Sequence, residues 1–409
     1  MKSKQLLSSL VNNVINNLFL PTFEPGTISV YIHWPFCLKK CPYCDFNSYV
    51  SKSVNHNDWL QGYKNSILGQ QKFLDNKIVK SIFFGGGTPS LMEPYIVNEL
   101  INHFKEHNHS LNPNLSKDNQ YGIKEITLES NPSTFEINRF TDFKQAGITR
   151  LSTGIQSFSN SSLKFLGRNH NALEAIKALE ASNNIFARTS FDLIIGLPGQ
   201  ALNDWQNELD FALKFFKEHI SIYQLTIEKG TPFSANKVPE ADEEIAAQLY
   251  LHTIETLRAK NIHQYEISNF AITNGEGIHN LNYWKGGEYL GIGPNAHGRV
   301  FYNNAWFATR EIKNPNKWLD CALANNTNLL QNPLFEEYTQ LSLEERFEEI
   351  VLTHLRVSQD IPEFIINNLN PEKIQLLKEQ NLLIWSQNKL YISDYGRMCL
   401  NYITSYLLT

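Results

Sequence analysis

The chain has 409 residues, 42% hydrophobic and 19% charged, which suits a folded protein with a substantial core and excludes a disordered one. Its net charge is −5 and no dense basic run occurs, so binding a nucleic-acid backbone is not its main role. No apolar run approaches the length of a membrane span. Five cysteines, three of them between positions 37 and 44, form no disulfide framework, which indicates a reducing compartment and predicts a cytoplasmic protein.

The first 26 residues predict a leader helix that packs on the surface or stays loose. Apolar residues recur there at helical spacing, namely Leu7, Leu10, Val11, Val14, Ile15 and Leu18. A secretory signal would need a continuous apolar run and small residues before a cleavage point, and this segment has neither.

From residue 27 onward, strand-like and helix-like segments alternate. Six segments rich in β-branched residues predict strands, at residues 27–33, 78–84, 125–129, 150–156, 189–195 and 220–227. Helical patterns separate them, notably at residues 58–73, 95–104, 172–180 and 204–216. Six β/α repeats without predicted hairpins indicate an α/β fold with a parallel sheet, open or partly closed into a (β/α)6 barrel over residues 27–235.

Two further regions follow the predicted barrel. Residues 236–335 predict an accessory region with a helix at 243–260 and aromatic, glycine-rich loops at 265–270 and 282–293. Residues 336–409 predict helices at 343–355 and 371–380, a hairpin turning at Gln387-Asn388, and a closing helix at 395–407. This order resembles a winged-helix domain, and its few basic residues favour a lid or a partner surface over DNA binding.

A cysteine motif follows the first predicted strand. Cys37, Cys41 and Cys44 have the spacing Cys-x3-Cys-x2-Cys, and thiolates this close on a loop can converge on one soft metal centre. Three ligands would leave one iron of an iron–sulfur cubane open for a second molecule. The alternatives are a zinc knuckle with a distant fourth ligand, or three unrelated thiols.

Polar and glycine residues mark the ends of the other predicted strands, where parallel α/β folds carry their chemistry. Gly85 to Gly87 follow the second strand, and they favour close approach of a ligand over a simple tight turn. Glu129 ends the third strand, where a carboxylate can bind ribose hydroxyls or serve only as a cap. Gln156 ends the fourth strand and Asp192 lies within the fifth.

The cysteine spacing with Tyr43 resembles the signature of the radical S-adenosylmethionine superfamily. A wider set resembles the oxygen-independent coproporphyrinogen III oxidase family: Tyr31-Ile-His33, Gly85-Gly-Gly-Thr-Pro-Ser-Leu91, Glu129-Ser-Asn-Pro132, Gly154-Ile-Gln-Ser-Phe158, Leu166-Gly-Arg168 and Asp192-Leu-Ile-Ile-Gly-Leu-Pro-Gly-Gln200. Three later motifs resemble its haem-chaperone branch: Tyr265-Glu-Ile-Ser-Asn269, His279-Asn-Leu-Asn-Tyr-Trp284 and Gly291-Ile-Gly293. The resemblance runs from about residue 28 to the C-terminus.

This resemblance implies cofactors and site residues. A [4Fe–4S] cluster would bind Cys37, Cys41 and Cys44, with S-adenosylmethionine on the open iron. The remaining cofactor contacts would be Tyr31, Tyr43 near the adenine, Gly86, Gly87 and Thr88 at the methionine end, Glu129 on the ribose, and Gln156, Arg168 and Asp192. Haem contacts would come from His279, Tyr283 and Trp284.

The resemblance also implies partners. These are haem, recipient haem proteins, and an electron donor such as flavodoxin or ferredoxin. No nucleic acid is expected, and membrane association is expected only through a partner.

Three features of the sequence bear on the branch. In the family's coproporphyrinogen dehydrogenases another cysteine follows two residues after the third, and Phe46 stands at that position here. The segment before the first strand is shorter than theirs, and the motif from His279 to Trp284 is typical of the chaperone branch. These features favour haem binding and delivery over radical decarboxylation of coproporphyrinogen, which is the alternative, and a zinc-stabilised barrel is a third.

Overall fold

The computed structural model describes residue 24 and residues 26–51, 53–324 and 334–409. The predicted leader helix therefore lies outside the described residues, apart from Glu24 and Gly26. The strands are β1 Thr27–Trp34, β2 Phe36–Cys37, β3 Tyr49–Val50, β4 Ile78–Gly86, β5 Glu125–Ser130, β6 Arg150–Gln156, β7 Arg188–Ile195, β8 His219–Gln224, β9 His263–Glu266, β10 Asn269–Ala271, β11 Tyr289–Ile292, β12 His297–Tyr302, β13 Ala305–Glu311, β14 Phe335–Leu341, β15 Leu383–Ser386 and β16 Lys389–Ile392.

Helices separate most of these strands. The α-helices are His56–Gly69, Gln71–Leu74, Pro94–Leu111, Thr134–Ile137, Phe140–Ala146, Asn160–Phe165, Ala172–Ile185, Leu202–Ala212, Pro232–Ala235, Glu243–Ala259, Ile278–Trp284, Pro315–Ala324, Leu343–His354, Glu363–Asn368, Pro371–Glu379, Asp394–Met398 and Leu400–Leu408, with 3-10 turns at Pro89–Leu91 and Lys117–Gly122. Among the described residues, none of these helices combines the length and hydropathy needed to cross a bilayer.

Six parallel strands form the centre of the fold. Strands β1, β4, β5, β6, β7 and β8 lie side by side in that order, and every neighbouring pair is parallel. At least one helix lies between each strand of this series and the next. The predicted α/β class with a partial (β/α)6 barrel is therefore confirmed.

The two faces of each central strand differ in chemistry. In β1, Ile28, Val30 and Ile32 are fully buried in an apolar cluster that also contains side chains of the helix Pro94–Leu111. Because successive side chains of a strand point to opposite faces, the alternate positions Ser29 and Tyr31 face the barrel interior. That interior is largely polar. It therefore differs from a closed barrel core, which is filled by branched apolar side chains.

Residues 236–335 do not form the predicted loops at 265–270 and 282–293, and that prediction was wrong. Strands β9 and β10 extend the sheet antiparallel to β8, whereas β11 pairs parallel with β1 and is followed by antiparallel β12, β13 and β14. A Cβ on Gly291 would collide with the carbonyl of His297, so this glycine lets β11 and β12 approach closely. The local sequence does not predict strand β11, because its conformation depends on pairing with β1, which is far away in the sequence.

The C-terminal residues have an apolar cluster of their own, which includes Ile350, Leu377, Leu390 and Ile403. The hairpin β15–β16 turns at Gln387 and Asn388, whose φ angles of 49° and 61° suit a two-residue turn. The predicted closing helix is divided into Asp394–Met398 and Leu400–Leu408. Because β14 pairs with β13, this winged-helix-like region is joined to the main sheet by backbone hydrogen bonds.

Candidate functional site

A cavity of about 340 Å³ opens at the carboxyl ends of the central strands. It brings together all the predicted cluster and cofactor residues except Tyr31: Cys37, Cys41, Tyr43, Cys44, Gly86, Gly87, Thr88, Glu129, Gln156, Arg168 and Asp192. The cysteines and Tyr43 come from β2 and the loop after it, and the glycines, Glu129 and Gln156 come from the carboxyl ends of β4, β5 and β6. Asp192 lies within β7, and Arg168 follows the helix Asn160–Phe165.

The cysteine loop is closed by its own backbone and by one lysine. The N–H of Cys44 donates to the carbonyl of Cys41 at 3.1 Å, which makes a tight turn between two of the thiols. Lys40 Nζ donates to the carbonyls of Phe46 and Ser48 at 3.1 and 3.2 Å. The loop therefore holds its shape through main-chain contacts and leaves the thiols turned to the cavity.

Each thiol has a hydrogen-bond donor beside it. Burial raises the pKa of Cys37, and hydrogen bonds with Thr88 and Ser48 oppose that rise. Arg168 donates to Cys41 Sγ at 3.5 Å, and Ser48 Oγ lies 3.7 Å from Cys44 Sγ. Donors around thiolate sulfur stabilise its negative charge and tune the reduction potential of an iron–sulfur cluster.

The three thiols at the cavity supply the donor set of a cubane with one open iron. Among the described residues, no three His, Cys, Asp or Glu side chains are placed to hold one ion. In a cubane each thiolate binds a different iron, so the sulfurs stand farther apart than they do around one zinc. The donor set and its arrangement at the cavity therefore fit the cluster and argue against the zinc knuckle.

The glycines after β4 are needed for packing within the protein. Gly86 has a φ of 113°, and a Cβ there would lie 2.5 Å from the ring of His33. A Cβ on Gly87 would lie 2.7 Å from the carbonyl oxygen of Phe36. Close packing against the end of β1 and against β2 therefore requires glycine at both positions, and ligand approach to them stays a prediction.

Two acids share the wall of the cavity. Burial raises the pKa of Glu129 to about 8, the charge of Asp192 adds to this rise, and a hydrogen bond from the N–H of Gly86 opposes it. The distance from that N–H to Glu129 Oε2 is 3.2 Å. Burial raises the pKa of Asp192 to about 6. A cationic ligand between these carboxyl groups would favour their ionised forms.

Arg168 is held firmly at the opposite wall. Its guanidinium donates to Asn131 Oδ1 at 2.6 Å and to the carbonyl of Gly154 at 2.7 Å, while its Nε is buried without a hydrogen-bond partner. Asn131 also donates to Thr88 Oγ1 at 3.0 Å. The sequence analysis gave Asn131 no role, although its place two residues after Glu129 at a strand end is the signal that could have found it.

Gln156 has a strained backbone, with a φ of 71° beside an irregularity in the β6–β7 pairing. Non-glycine residues keep a positive φ only when their surroundings demand it, and such residues cluster at functional sites. This strain supports its assignment to the cavity.

Tyr31 lies below this cavity, in the barrel interior. Its hydroxyl is 2.9 Å from His33 Nδ1, and its ring stacks on Phe83 with the centroids 6.3 Å apart. It lines a separate inner cavity of about 140 Å³, which shares Glu129, Asp192 and Tyr223 with the larger one. Tyr223 lines both cavities and was missed by the sequence analysis.

The three predicted haem residues are not all together. His279 is 2% exposed, with Nδ1 2.9 Å from Ser81 Oγ and Nε2 2.7 Å from the Tyr283 hydroxyl, and burial lowers its pKa to about 3. Both His279 and Tyr283 line the inner cavity, whereas Trp284 packs against Arg356, whose guanidinium carbon is 4.7 Å from the ring centroid. Haem contact by these residues stays a prediction.

Comparisons with known proteins identify the family. The pattern of the Radical SAM superfamily matches residues 31–212. The chain is 36% identical over 300 residues to radical S-adenosyl methionine domain-containing protein 1, mitochondrial, of Danio rerio, covering 71% of this chain and 65% of that protein. It is 33% identical over 383 residues to the heme chaperone HemW of Buchnera aphidicola subsp. Acyrthosiphon pisum, covering 93% of this chain and 98% of that protein.

The fold has a solved counterpart. The structure of coproporphyrinogen III oxidase (HemN) from Escherichia coli, a radical SAM enzyme, matches with a TM-score of 0.75 at 17% identity, covering 97% of this chain and 92% of that one. The chain therefore belongs to the radical S-adenosylmethionine superfamily and, within the oxygen-independent coproporphyrinogen III oxidase-like family, to the HemW branch.

Proposed function

We propose that the chain binds a [4Fe–4S] cluster through Cys37, Cys41 and Cys44, S-adenosylmethionine beside that cluster, and haem, which it passes to haem proteins. The observation that carries the proposal is the convergence of three hydrogen-bonded thiols and two buried acids on one cavity. The similarity to a protein named heme chaperone HemW supports the choice of haem as cargo.

The protein's own residues would position the cofactor. The cluster with S-adenosylmethionine supplies low-potential one-electron chemistry when bound. Glu129 would accept hydrogen bonds from ribose hydroxyls, and Gly86, Gly87 and Thr88, which line the same cavity, would meet the methionine end. Arg168 can bind a carboxylate with its planar fork while it stabilises the Cys41 thiolate. Gln156 and Asp192 complete the wall, and Tyr43 packs toward Phe233 at the rim.

The proposal includes partners and a compartment. An electron donor such as flavodoxin or ferredoxin would reduce the cluster, and haem proteins would receive the haem. All five cysteines are free, and their thiol state suits the reducing cytoplasm that we propose. Any membrane contact would come through a recipient protein.

Anaerobic reconstitution with iron and sulfide tests the cluster. We expect about four irons per chain and the absorbance of a cubane, which Cys41→Ser should abolish. Cys399→Ser is the control, because Cys399 packs against the C-terminal apolar cluster. One zinc per chain, or full absorbance in Cys41→Ser, would contradict the ligand assignment.

Titration of the same sample with haem tests the cargo. We expect binding with a shifted Soret band, and His279→Ala should change the spectrum or weaken the affinity. Ligation of the haem iron through Nε2 of His279 would require its hydrogen bond with the Tyr283 hydroxyl to break. Tyr283→Phe, which lacks that hydroxyl, should therefore strengthen the spectral change caused by ligation or leave it unchanged. A spectrum that both variants leave unaltered would exclude His279 as a ligand.

Radical decarboxylation of coproporphyrinogen is the second candidate, and the fold shared with HemN favours it. Phe46, which is 60% exposed at the cavity, stands where the dehydrogenases have their additional cysteine. We expect coproporphyrinogen to remain unreacted under anaerobic conditions with S-adenosylmethionine and a strong reductant. Several turnovers to the divinyl product would promote this candidate over the chaperone.

A further inference from the structure

Arg150 is a buried arginine without a polar partner. It begins β6 at the lower end of the barrel interior and is 4% exposed. Its Nε has no hydrogen-bond partner, and no ion pair or hydrogen bond joins its side chain to another residue in the described part of the chain. Burying an unpaired cation is costly, so such a group calls for an explanation.

Two acids at this end of the barrel, Glu125 and Glu218, are already engaged by a different arginine. Arg188 bonds to Glu125 and to Glu218, each at 2.9 Å, and also donates to the carbonyls of Gly275 and Glu276. Arg188 therefore satisfies both carboxylates and two backbone groups. Arg150 gains only longer-range attraction from the surrounding acids and forms no contact pair with them.

The guanidinium of Arg150 lines the inner cavity. This space of about 140 Å³ could hold on the order of ten water molecules or a small organic acid. Hydroxyl and amide groups also face it, from Ser152, Ser221, Tyr265 and Asn280. Thr127, the neighbour of Arg150 in the β5–β6 pairing, has a buried hydroxyl that is likewise without a partner. Two polar groups without partners, the Arg150 side chain and the Thr127 hydroxyl, therefore occur in one region of the barrel.

We propose that Arg150 binds a carboxylate group in the inner cavity, below the cluster and S-adenosylmethionine residues. A guanidinium matches a carboxylate through two parallel N–H bonds. The acids Glu129 and Asp192 lie where the inner cavity adjoins the larger one, so they orient the carboxylate away from themselves and toward Arg150. The group belongs either to a free small organic acid or to an acid side chain of the tetrapyrrole, and only the second source rests on the proposed function.

Thermal unfolding of the full chain tests the free acid. We expect sodium propionate or sodium succinate to raise Tm above that in sodium chloride at equal ionic strength, and Arg150→Met to remove this rise. In chloride alone, Arg150→Met should keep or raise Tm, because it removes an unpaired buried charge. Arg188→Met is the matched control, and it should lower Tm because it leaves Glu125 and Glu218 unpaired.

Comparing the affinities of haem and its dimethyl ester tests whether the carboxylate bound by Arg150 is a side chain of the tetrapyrrole. If the carboxylate is a haem side chain, haem should bind at least about tenfold more tightly than the ester to the wild type, and equally to Arg150→Met. If haem fails to bind at all, the propionate and succinate result still decides the proposal. The proposal is overturned if neither carboxylates nor the haem–ester pair distinguish the wild type from Arg150→Met, or if Arg150→Met lowers Tm as much as Arg188→Met.

Discussion

Within the described part of the chain, the Glu129 carboxyl group accepts one hydrogen bond, from the N–H of Gly86, and the residue lines the cavity. We predict that Glu129→Ala weakens S-adenosylmethionine binding about tenfold or more, because a hydrogen bond to a charged group contributes roughly 1.5–3 kcal/mol. Iron content should not change, since Glu129 does not contact the cysteine loop. Calorimetry on the reconstituted protein measures the affinity.

Glu129→Gln is the matched variant, because it keeps an acceptor for the N–H of Gly86 and loses only the charge. An intermediate affinity is expected for it. Equal affinities for the wild type and Glu129→Ala would show that Glu129 serves only to hold Gly86.

Arg168 links the wall of the cavity to Cys41, one of the proposed cluster ligands. We predict that Arg168→Lys lowers the reduction potential of the cluster, because loss of an N–H donor to sulfur destabilises the added electron. Anaerobic redox titration measures the potential. Lys39→Arg, on the same loop, is the control and should leave the potential near that of the wild type. A rise in potential in Arg168→Lys would contradict the hydrogen bond to Cys41.

Several candidate site residues could be predicted because they belong to short sequence motifs or lie at the ends of predicted strands. The thiols were visible as a motif, and Glu129 and Gln156 were visible as polar residues at strand ends. Arg150 was missed because nothing in its local sequence shows that it is buried and unpaired. A usable signal did exist, since polar residues occupy every second position in three strands: Arg150-Leu-Ser152, Arg188-Thr-Ser-Phe-Asp192 and His219-Ile-Ser-Ile-Tyr223.

The helix Ile278–Trp284 is fixed to the barrel by one carboxylate. Glu125, which is fully buried, accepts hydrogen bonds from the backbone N–H groups of Ile278 and His279 at 3.2 and 3.1 Å. It also pairs with Arg188. The helix is thereby held against the first residue of β5, which places His279 and Tyr283 at the inner cavity.

We predict that Glu125→Gln destabilises the chain by about 3–5 kcal/mol, the usual cost of breaking a buried ion pair. Backbone amides of the helix Ile278–Trp284 should exchange hydrogen faster than in the wild type. Glu218→Gln is the control, because it also removes a partner of Arg188 but does not contact the helix. Equal exchange in the two variants would show that Glu125 does not anchor the helix.

At the scale of elements, the central strands could be predicted and the edges of the sheet could not. The six parallel strands carry enough β-branched residues to be recognised one at a time. Strands β9 to β11 have three or four residues each and form because neighbouring strands offer unpaired backbone groups. The conformation of these strands depends on residues far away in the sequence, so it cannot be predicted from a short segment alone.

At the scale of the molecule, buried histidines set the response to acid. Burial lowers the pKa of His33, His170 and His354 to about 4 and that of His279 to about 3. The unfolded chain takes up these protons near pH 6.5, before the folded chain does. Their contribution to stability is therefore complete above pH 6.5 and is lost as the pH falls toward 4.

We predict that the urea midpoint of the purified chain falls steeply between pH 6.5 and pH 5. His354→Gln should reduce the slope of unfolding free energy against pH by about one proton, because that site then takes up none. The exposed His109 provides the control, and His109→Gln should leave the slope as it is. A slope that His354→Gln leaves unaltered would mean that this histidine titrates normally in the folded chain.

Strand β1, which leads into the cysteine loop, lies between β4 and β11 in the sheet, and its Ser29 pairs with Tyr289, 260 residues later. As the ribosome makes the chain, β1 therefore emerges long before the strand that covers one of its sides. Until β11 arrives, the segment carrying the cysteines has an uncovered edge that can pair with other chains. Iron for the proposed cluster is then expected to be loaded only after synthesis has passed residue 292, so maturation of the cysteine loop depends on the second half of the chain.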